Sequence, residues 1–406
     1  MKRRQGQGAP RWLLAGALLA GGCSSLGHGD YRWIGGGRGL EENKGALRVA
    51  WRKELTPSER GRYRPVENAV PAIDAKAGRL YVGAASGRLY ALGFDGTPLY
   101  HFELHEPIEC EPALDPDKDE LFVANERNEL YALRPSSGKI LWKITASANV
   151  RRRPVLYKDA LYVITEDDGV DALSRADGSM LWSYHREHSE GFLVAGHAGL
   201  TLSADGTLYA AFNDGTVVGL DALDGKPKWE RSTALDVPEA EPGRPRYVDA
   251  DATPVRIGDS VYAASFGGGL YCLDAHNGSV LWREPEWTGI TGLSEGPGGS
   301  LILVSADRGV ARFEPSTRSV AWIKSVERGS FGVPQVAGDL LLIGDSRGSL
   351  VALYTETGEE VGRIESGHGF AARAAVLDER GFVVSNGGVL MALRLASHPQ
   401  GPGAQK

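Results

Sequence analysis

A three-residue frame recurs along this chain and constrains its fold more than any other feature. The frame is a small residue, a glycine six positions later and a tryptophan four positions after that. Between its members, short β-branched and aromatic runs alternate with Gly-Gly and Asn-Gly pairs, which favour hairpin turns because those turns need positive φ. Each unit is therefore predicted to be a small antiparallel meander. The four clearest copies are Ala132, Gly138 and Trp142; Ala172, Gly178 and Trp182; Gly219, Gly225 and Trp229; and Cys272, Gly278 and Trp282.

The repeat continues beyond these four copies in degenerate form. A copy that is one residue short starts at Ala91, and two more surround Trp322 and Ala352. A final partial copy at 381–393 supplies two strands and stops. The tryptophans that we assign to the repeat are Trp51, Trp142, Trp182, Trp229, Trp282 and Trp322.

The outer strand that the last copy lacks is found at the other end of the chain. The segment 46–55 carries Trp51 with no strands before it, so we expect it to complete the final unit. Residues 46–394 then hold eight units of about 44 residues each, which is the length of a four-stranded propeller blade. The sequence predicts an all-β, eight-bladed β-propeller, closed by pairing of its N-terminal strand with the last blade.

A blade needs neighbours on both faces because one meander of four short strands is barely stable alone. We expect the tryptophan of each outermost strand to lie over the small residue of an adjacent blade. This contact would explain why both residues recur at a fixed spacing.

The first residues are typical of export rather than of a folded domain. Four basic residues precede or flank a nine-residue apolar run, 12–20, which is too short to span a bilayer as a helix. The following Gly21-Gly22-Cys23 resembles a bacterial lipoprotein cleavage site, and the resemblance implies a lipid on Cys23. Ser24 at the next position implies, by the same resemblance, sorting to the outer membrane.

These features divide the chain into four predicted parts. They are a signal peptide at 1–22, a lipidated cysteine with a flexible tether at 23–45, the propeller at 46–394 and a disordered tail at 395–406. Removal of 1–22 takes away four positive charges and changes the formal net charge from −7 to −11. A chain this acidic is predicted to bind nucleic acid poorly. Its predicted link to a membrane is the acyl chains carried by Cys23.

Two further cysteines, Cys110 and Cys272, fall in different repeats. An oxidising compartment does not by itself pair them. Both are interpreted as small, buried, unpaired apolar residues.

The small-residue, glycine and tryptophan frame resembles the repeats of the pyrroloquinoline-quinone-type eight-bladed propellers. Within that class, the lipoprotein signal, the size and the segment 249–284 look most like the BamB family of outer-membrane protein assembly factors, and the resemblance covers about 46–394. It implies an outer-membrane lipoprotein that docks on a BamA-like barrel-forming partner and its complex. Outer-membrane protein substrates would be further partners, and strand addition at a blade edge is a possible route for them.

The resemblance also carries over two partner-binding elements. Asp249 and Asp251 match an aspartate pair of the family, and the apolar loop 191–196 matches a second contact through Phe192, Leu193 and Val194. Two readings stay open for each element. The carboxylates either accept hydrogen bonds from another protein or satisfy local backbone groups, and the loop is either an exposed anchor or the start of blade 4.

The fifth loop position differs from the family pattern. Ala195 stands where the resemblance leads us to expect an arginine. A different periplasmic propeller that binds an envelope partner or a small ligand over its central channel is therefore the alternative function.

No catalytic constellation is predicted, and the chain is not expected to be an enzyme or to hold a cofactor. Quinone-dependent dehydrogenases of this fold generally carry an adjacent cysteine pair and calcium-binding acids, which are missing here. The acids Asp115, Asp117 and Asp119 imitate a calcium loop without its glycine, and the histidines near 185–197 lack metal-ligand spacing, so no metal is predicted. Arg151-Arg152-Arg153 before Pro154 is predicted to be a charge cluster on the rim.

Overall fold

The computed structural model of the chain describes residues 45–56, 67–186, 198–237, 247–325, 329–346 and 348–396. Within these residues, eight antiparallel sheets of four strands each follow one another along the chain. The predicted eight-bladed, all-β propeller is confirmed. Its strands run from Leu47 to Leu395, and the predicted signal peptide, Cys23 and the segments 24–44 and 397–406 lie outside the described residues.

Blades 1 to 4 each consist of four strands in sequence order. They are β2 (Ala72–Asp74), β3 (Arg79–Gly83), β4 (Arg88–Gly93) and β5 (Pro98–Glu103); β6 (Ala113–Asp115), β7 (Glu120–Ala124), β8 (Glu129–Arg134) and β9 (Lys139–Thr145); β10 (Val155–Tyr157), β11 (Ala160–Thr165), β12 (Gly169–Ser174) and β13 (Met180–His185); and β14 (Thr201–Leu202), β15 (Thr207–Ala211), β16 (Thr216–Asp221) and β17 (Pro227–Ser232).

Blades 5 to 7 repeat this order, and blade 8 takes one strand from the N-terminus. They are β18 (Val255–Ile257), β19 (Ser260–Ser265), β20 (Gly269–Asp274) and β21 (Val280–Glu284); β22 (Ile290–Glu295), β23 (Leu301–Ser305), β24 (Gly309–Glu314) and β25 (Ser319–Lys324); β26 (Gln335–Ala337), β27 (Leu340–Gly344), β28 (Ser349–Tyr354) and β29 (Glu360–Glu365); and β30 (Ala375–Leu377), β31 (Arg380–Val384), β32 (Val389–Leu395) and β1 (Leu47–Glu54).

Helical structure in the described part of the chain is confined to two single 3-10 turns, Ala234–Asp236 and Pro297–Gly299. Neither is long or apolar enough to cross a membrane.

Blade 8 closes the ring as the sequence predicts. β1 pairs antiparallel with β32, from Leu47 opposite Leu395 to Glu54 opposite Val389. A β-bulge between Val49 and Trp51 shifts the register within this pairing. The two ends of the described chain are thus joined in one sheet, which removes an open seam between the last blade and the first.

The core lies between the blades. The second strands show it best, since all six residues of β11 and all five of β15 are buried. A strand covered on both faces loses the alternation of apolar and polar residues. Outer strands keep it, because β13 alternates exposed and half-buried residues. Stability therefore depends on contacts between neighbouring blades.

The tryptophans supply these contacts, but on a different partner from the one predicted. The ring of Trp182 lies over Gly225 of the next blade, where an added Cβ would be 2.5 Å from the ring atom Cε3. Its Nε1–H donates to the carbonyl of Ala222 at 3.1 Å. The residue at the turn must therefore be glycine, because of this close approach and because its φ is +72°.

The expectation that tryptophan covers the small residue of an adjacent blade is wrong. Ala172 pairs directly with Trp182 in the same sheet, as Cys272 does with Trp282. A small side chain is needed there because the indole stands beside it on the neighbouring strand.

Most members of the repeat share this docking mode. Nε1–H donates to a carbonyl of the next blade from Trp51, Trp142, Trp229 and Trp322 as well, over 2.8 to 2.9 Å. Where Arg318 replaces the turn glycine, Trp282 packs against Phe313 of the next blade, with ring centroids 5.9 Å apart.

Both remaining cysteines are buried and unpaired, as predicted. Cys110 and Cys272 are each 2% exposed and form no disulfide. Burial raises the pKa of the Cys110 thiol to about 12, so it stays protonated at neutral pH.

We expect Trp182→Ala to lower the free energy of unfolding by roughly 3 kcal/mol, because it removes the indole from the blade 3 to blade 4 contact. Trp182→Phe keeps a ring but loses the hydrogen bond to Ala222, so its loss should be about 1 kcal/mol. Urea unfolding measures both. Leu181→Ala, on the exposed side of the same strand, is the control, and equal losses for Trp182→Ala and Leu181→Ala would contradict the docking account.

Candidate functional site

The first strands of the blades surround a central channel. Each is preceded by a short lead-in segment that arrives from the previous blade, so the lead-in segments meet at one end of the channel. This end opens into a cavity of about 1400 Å³. The lining comes almost entirely from the lead-in segments and the residues just after them.

One wall of the cavity is an ion-pair network that spans blades 7, 8, 2 and 3. Arg373 before blade 8 donates from Nη2 to both carboxylate oxygens of Glu111 before blade 2, at 2.6 and 2.8 Å. Its Nη1 donates to Oε1 of Gln335 at 2.5 Å. Arg153 before blade 3 lies 3.5 Å from the same Glu111. We call these four residues the arginine wall.

A second network lies two residues earlier in the lead-in segments. Arg151 contacts Glu109 at 3.1 Å and Glu166 at 2.5 Å. Asn149 donates to the other oxygen of Glu166 at 3.2 Å. This outer network therefore contains one more acid than base.

Another part of the cavity lining is apolar. Leu200, Leu293, Val333 and Pro334 line the same cavity from blades 4, 6 and 7. Leu200 is 9% and Leu293 7% exposed, so both are packed in place. The cavity thus combines charged and apolar sides.

The aspartates that the sequence assigns to a partner contact are buried residues of the lead-in segment of blade 5. Asp249 is 0% and Asp251 7% exposed. The segment is held between two blades, since Ala250 N–H donates to the carbonyl of Phe212 at 3.1 Å and the carbonyl of Asp249 accepts from Phe266 at 2.8 Å. Direct contact of Asp249 with another protein would require this segment to open, so the contact stays a prediction.

The Asp251 carboxylate accepts no hydrogen bond from the part of the chain that the structure describes. Burial and, second, the nearby charge of Asp249 raise its pKa to about 7 against the opposing effect of Arg152. Arg152 has a lowered pKa because it is buried, and the positive charge of Arg373 lowers it more. Arg152 is therefore within electrostatic reach of Arg373 in the arginine wall, and Asp251 is within reach of Arg152.

Arg151, Arg152 and Arg153, which we predicted to form a charge cluster on the rim, line the cavity. Sequence reasoning missed Glu111, which pairs with Arg153, and the residues Arg373 and Gln335 that extend this network. A usable signal existed, since Glu111 and Arg153 both directly precede the proline that opens a blade, in Glu111-Pro112 and Arg153-Pro154.

The apolar loop residues Phe192, Leu193 and Val194, with Ala195, lie outside the described residues. The described residue closest before them is Arg186, whose Nε contacts Asp214 at 2.7 Å and whose Nη1 contacts Glu230 at 3.0 Å. These pairs attach the end of blade 3 to blade 4.

One of the acids that imitate a calcium loop is used in an ion pair instead. Asp115, together with Glu120, contacts the buried Arg175 of the next blade, each at 2.6 Å. Within the described ranges, no group of three or more His, Cys, Asp or Glu side chains is placed to hold a metal.

Comparison with known proteins identifies the family. The family model described as "Outer membrane protein assembly factor BamB" matches residues 111–324 and 309–397, which is well over half of the chain. The chain belongs to the BamB family.

Curated BamB proteins are similar over most of their length. The BamB of Shewanella oneidensis is 27% identical over 281 residues, which cover 68% of this chain and 69% of that protein. The BamB of Burkholderia pseudomallei is 28% identical over 265 residues, with 64% and 68% covered. Their names describe an assembly factor, and the prediction that this chain is not an enzyme agrees with membership of such a family.

Solved structures agree in fold. The crystal structure of BamB from Moraxella catarrhalis aligns with a TM-score of 0.72 at 20% identity, covering 86% of this chain and all of that one. A quinohemoprotein alcohol dehydrogenase from Comamonas testosteroni aligns with 0.63 at 15% identity, covering 87% and 78%. At such identities the likeness concerns the fold alone, so a dehydrogenase neighbour says nothing about this chain's chemistry.

The buried Asp251 predicts a pH dependence of stability. Its pKa rises from 3.8 to about 7 on folding, so between these values the folded protein holds a proton that the unfolded chain releases. The free energy of unfolding should therefore fall as pH increases through this window, by an amount on the order of a few kcal/mol. Asp251→Asn keeps the shape without the charge, so its advantage over the unmodified protein should grow from pH 4 to pH 7 and level off above.

Urea denaturation across this pH range measures the effect. Asp117→Asn, at a surface position where the side chain is 84% exposed, is the control. Parallel stability curves for the Asp251→Asn variant and the unmodified protein would refute the assignment.

Proposed function

We propose that this protein assists the assembly and insertion of outer-membrane β-barrel proteins, as a scaffold that docks on the barrel-forming component of that machinery. The observation that carries the proposal is the match of residues 111–397 to the BamB family. A closed ring of blades suits a scaffold, because its core is shared between neighbours and its loops can vary without loss of the fold.

The proposed location is the periplasmic face of the outer membrane, with a lipid on Cys23 as the anchor. About twenty residues separate Cys23 from the first described residue, Gly45. A flexible chain of this length has an r.m.s. end-to-end distance of about 25 Å. The tether would therefore keep the propeller close to the bilayer while leaving it free to turn toward a partner.

The proposed docking surface is formed by the connections between blades 3 and 4 and between blades 4 and 5. The first contains Phe192, Leu193 and Val194, and the second leads to Asp249 and Asp251. Apolar side chains that are held rigidly make the strongest anchors in protein interfaces.

A described residue of the second connection supports this placement. Leu235 of the 3-10 turn Ala234–Asp236 is 85% exposed, more than the other large apolar side chains in the described part of the chain. The turn is held from blade 5, since Arg283 Nη2 donates to the carbonyl of Asp236 at 3.0 Å and Tyr271 donates to its carboxylate at 3.1 Å. Leu235 is thus an apolar group presented on a braced turn.

The docking proposal predicts the outcome of a pull-down from detergent-solubilised outer membranes. The unmodified protein should recover a β-barrel insertase. A variant with Phe192→Ser, Leu193→Ser and Val194→Ser, and separately Leu235→Ser, should recover at least about tenfold less, because each loses apolar contact area. Leu99→Ser and Leu281→Ser, at exposed positions on outer strands, are the matched controls.

Two results would count against the proposal. If the unmodified protein recovers no barrel protein, the scaffold role is wrong. If the control variants lose as much recovery as the loop variants, the loss is one of general surface hydrophobicity and the proposed surface is wrong.

The anchor has a separate prediction. Cys23→Ser should move the protein from the membrane fraction to the soluble periplasmic fraction and abolish incorporation of labelled palmitate, because the thiol is the acylated group. Cys272→Ala is the control, since alanine fills the same repeat position at Ala132 and Ala172. Membrane retention of a Cys23→Ser protein would exclude lipid anchoring at this residue.

A further inference from the structure

The cavity in the central channel is lined by arginines and apolar residues, as a ligand-binding site would be. The proposed scaffold role does not involve this cavity. Its arginine wall contains two guanidinium groups for one carboxylate. Oε1 of Glu111 lies 2.8 Å from Arg373 and 3.5 Å from Arg153, so both cations face the same acceptor. Among the described residues, the second guanidinium has no carboxylate that it does not share with Arg373.

Arg153 has hydrogen-bonding capacity to spare. A guanidinium carries five N–H donors. The ion pair of Arg153 with Glu111 is long for a hydrogen bond, and the Arg153 side chain is 53% exposed. Arg373, 28% exposed, is fixed in orientation by Glu111 and Gln335. Arg373 is thus preorganised, and Arg153 has N–H donors available for a ligand.

A third arginine lies within electrostatic reach of Arg373. Burial lowers the pKa of Arg152, the charge of Asp251 raises it and the charge of Arg373 lowers it. The outer network around Arg151 has an excess acid and lies two residues earlier in the lead-in segment. Charge that is concentrated inside a channel with low-dielectric walls attracts ions of opposite sign strongly.

The apolar part of the lining favours a different part of a ligand. Leu200, Leu293, Val333 and Pro334 face the same space and offer no charged group. Small-molecule sites are mostly apolar with a few placed polar groups. A cavity of about 1400 Å³ can accommodate a small ligand with room for water.

We propose that this cavity binds a small amphipathic anion, with a carboxylate or phosphate monoester held by Arg153 and Arg373 and an apolar body against Leu293 and Val333. Paired guanidinium groups match the planar fork of a carboxylate and the oxygens of a phosphate. The apolar wall supplies the area that a bare anion lacks.

Isothermal titration calorimetry of the full mature chain tests the site, with octyl phosphate as probe at concentrations below micelle formation. One saturable site per chain is expected. Octanol lacks the head and inorganic phosphate lacks the body, so each should bind at least about tenfold more weakly. Octanoate in a parallel titration distinguishes a carboxylate-selective from a phosphate-selective site.

Substitutions locate the site. Arg373→Gln and Arg153→Gln should each weaken octyl phosphate binding at least about tenfold. Arg363→Gln is the matched control, because this arginine lies on an outer strand of blade 7 and pairs with Asp345 and Glu360. Thermal melts monitor whether each variant folds. If Arg373→Gln unfolds the protein, binding by Arg153→Gln tests the site, since Arg153 is half-exposed and weakly paired.

Three outcomes would overturn the proposal. They are the absence of saturable binding of both octyl phosphate and octanoate, equal affinity for octanol, and unchanged affinity in a folded Arg153→Gln variant. None of these outcomes depends on capture of the assembly partner, so the binding site and the scaffold role are tested independently.

Discussion

The docking of one blade's tryptophan on the next blade's glycine turn is the interaction on which the rest of this structure depends. A four-stranded blade has two faces to bury, and only its neighbours can cover them. Trp51 shows the consequence most clearly. It belongs to the sheet that joins both ends of the described chain, where it pairs with Ala392, and its Nε1–H reaches Phe94 of blade 1. Trp51 thus takes part in the strand pairing that completes blade 8 and also attaches this blade to blade 1.

A ring held together in this way separates stability from function. The docking residues lie on outer strands, whereas the lead-in segments meet at the channel and contribute little to contacts between outer strands. Residues such as Glu111 and Arg373 can therefore vary without changing the tryptophan docking. The same scaffold consequently carries both an ion-pair network and apolar residues at one cavity, and a shared fold does not by itself specify such sites.

Much of the fold could be predicted because the frame is periodic. Blade number, strand count and the closing role of 46–55 follow from counting copies. The partner of the tryptophan could not be predicted, since the alanine and glycine positions of the frame are both small and both recur. Spacing identifies which positions are constrained, but the contact depends on how one blade is turned against the next. The structure placed Ala172 beside Trp182 in one sheet and Gly225 beneath its ring.

The sequence by itself determined the architecture and the family, because both follow from local patterns that recur along the chain. Tertiary structure alone decided the sites. Arg373 and Glu111 meet although 262 positions separate them, since the ring brings the first and last blades together. Asp249 and Asp251 look like exposed acids in a polar segment, yet hydrogen bonds from two blades bury them. Periodicity records which residues a blade needs, whereas charge pairing and burial depend on which blades become neighbours.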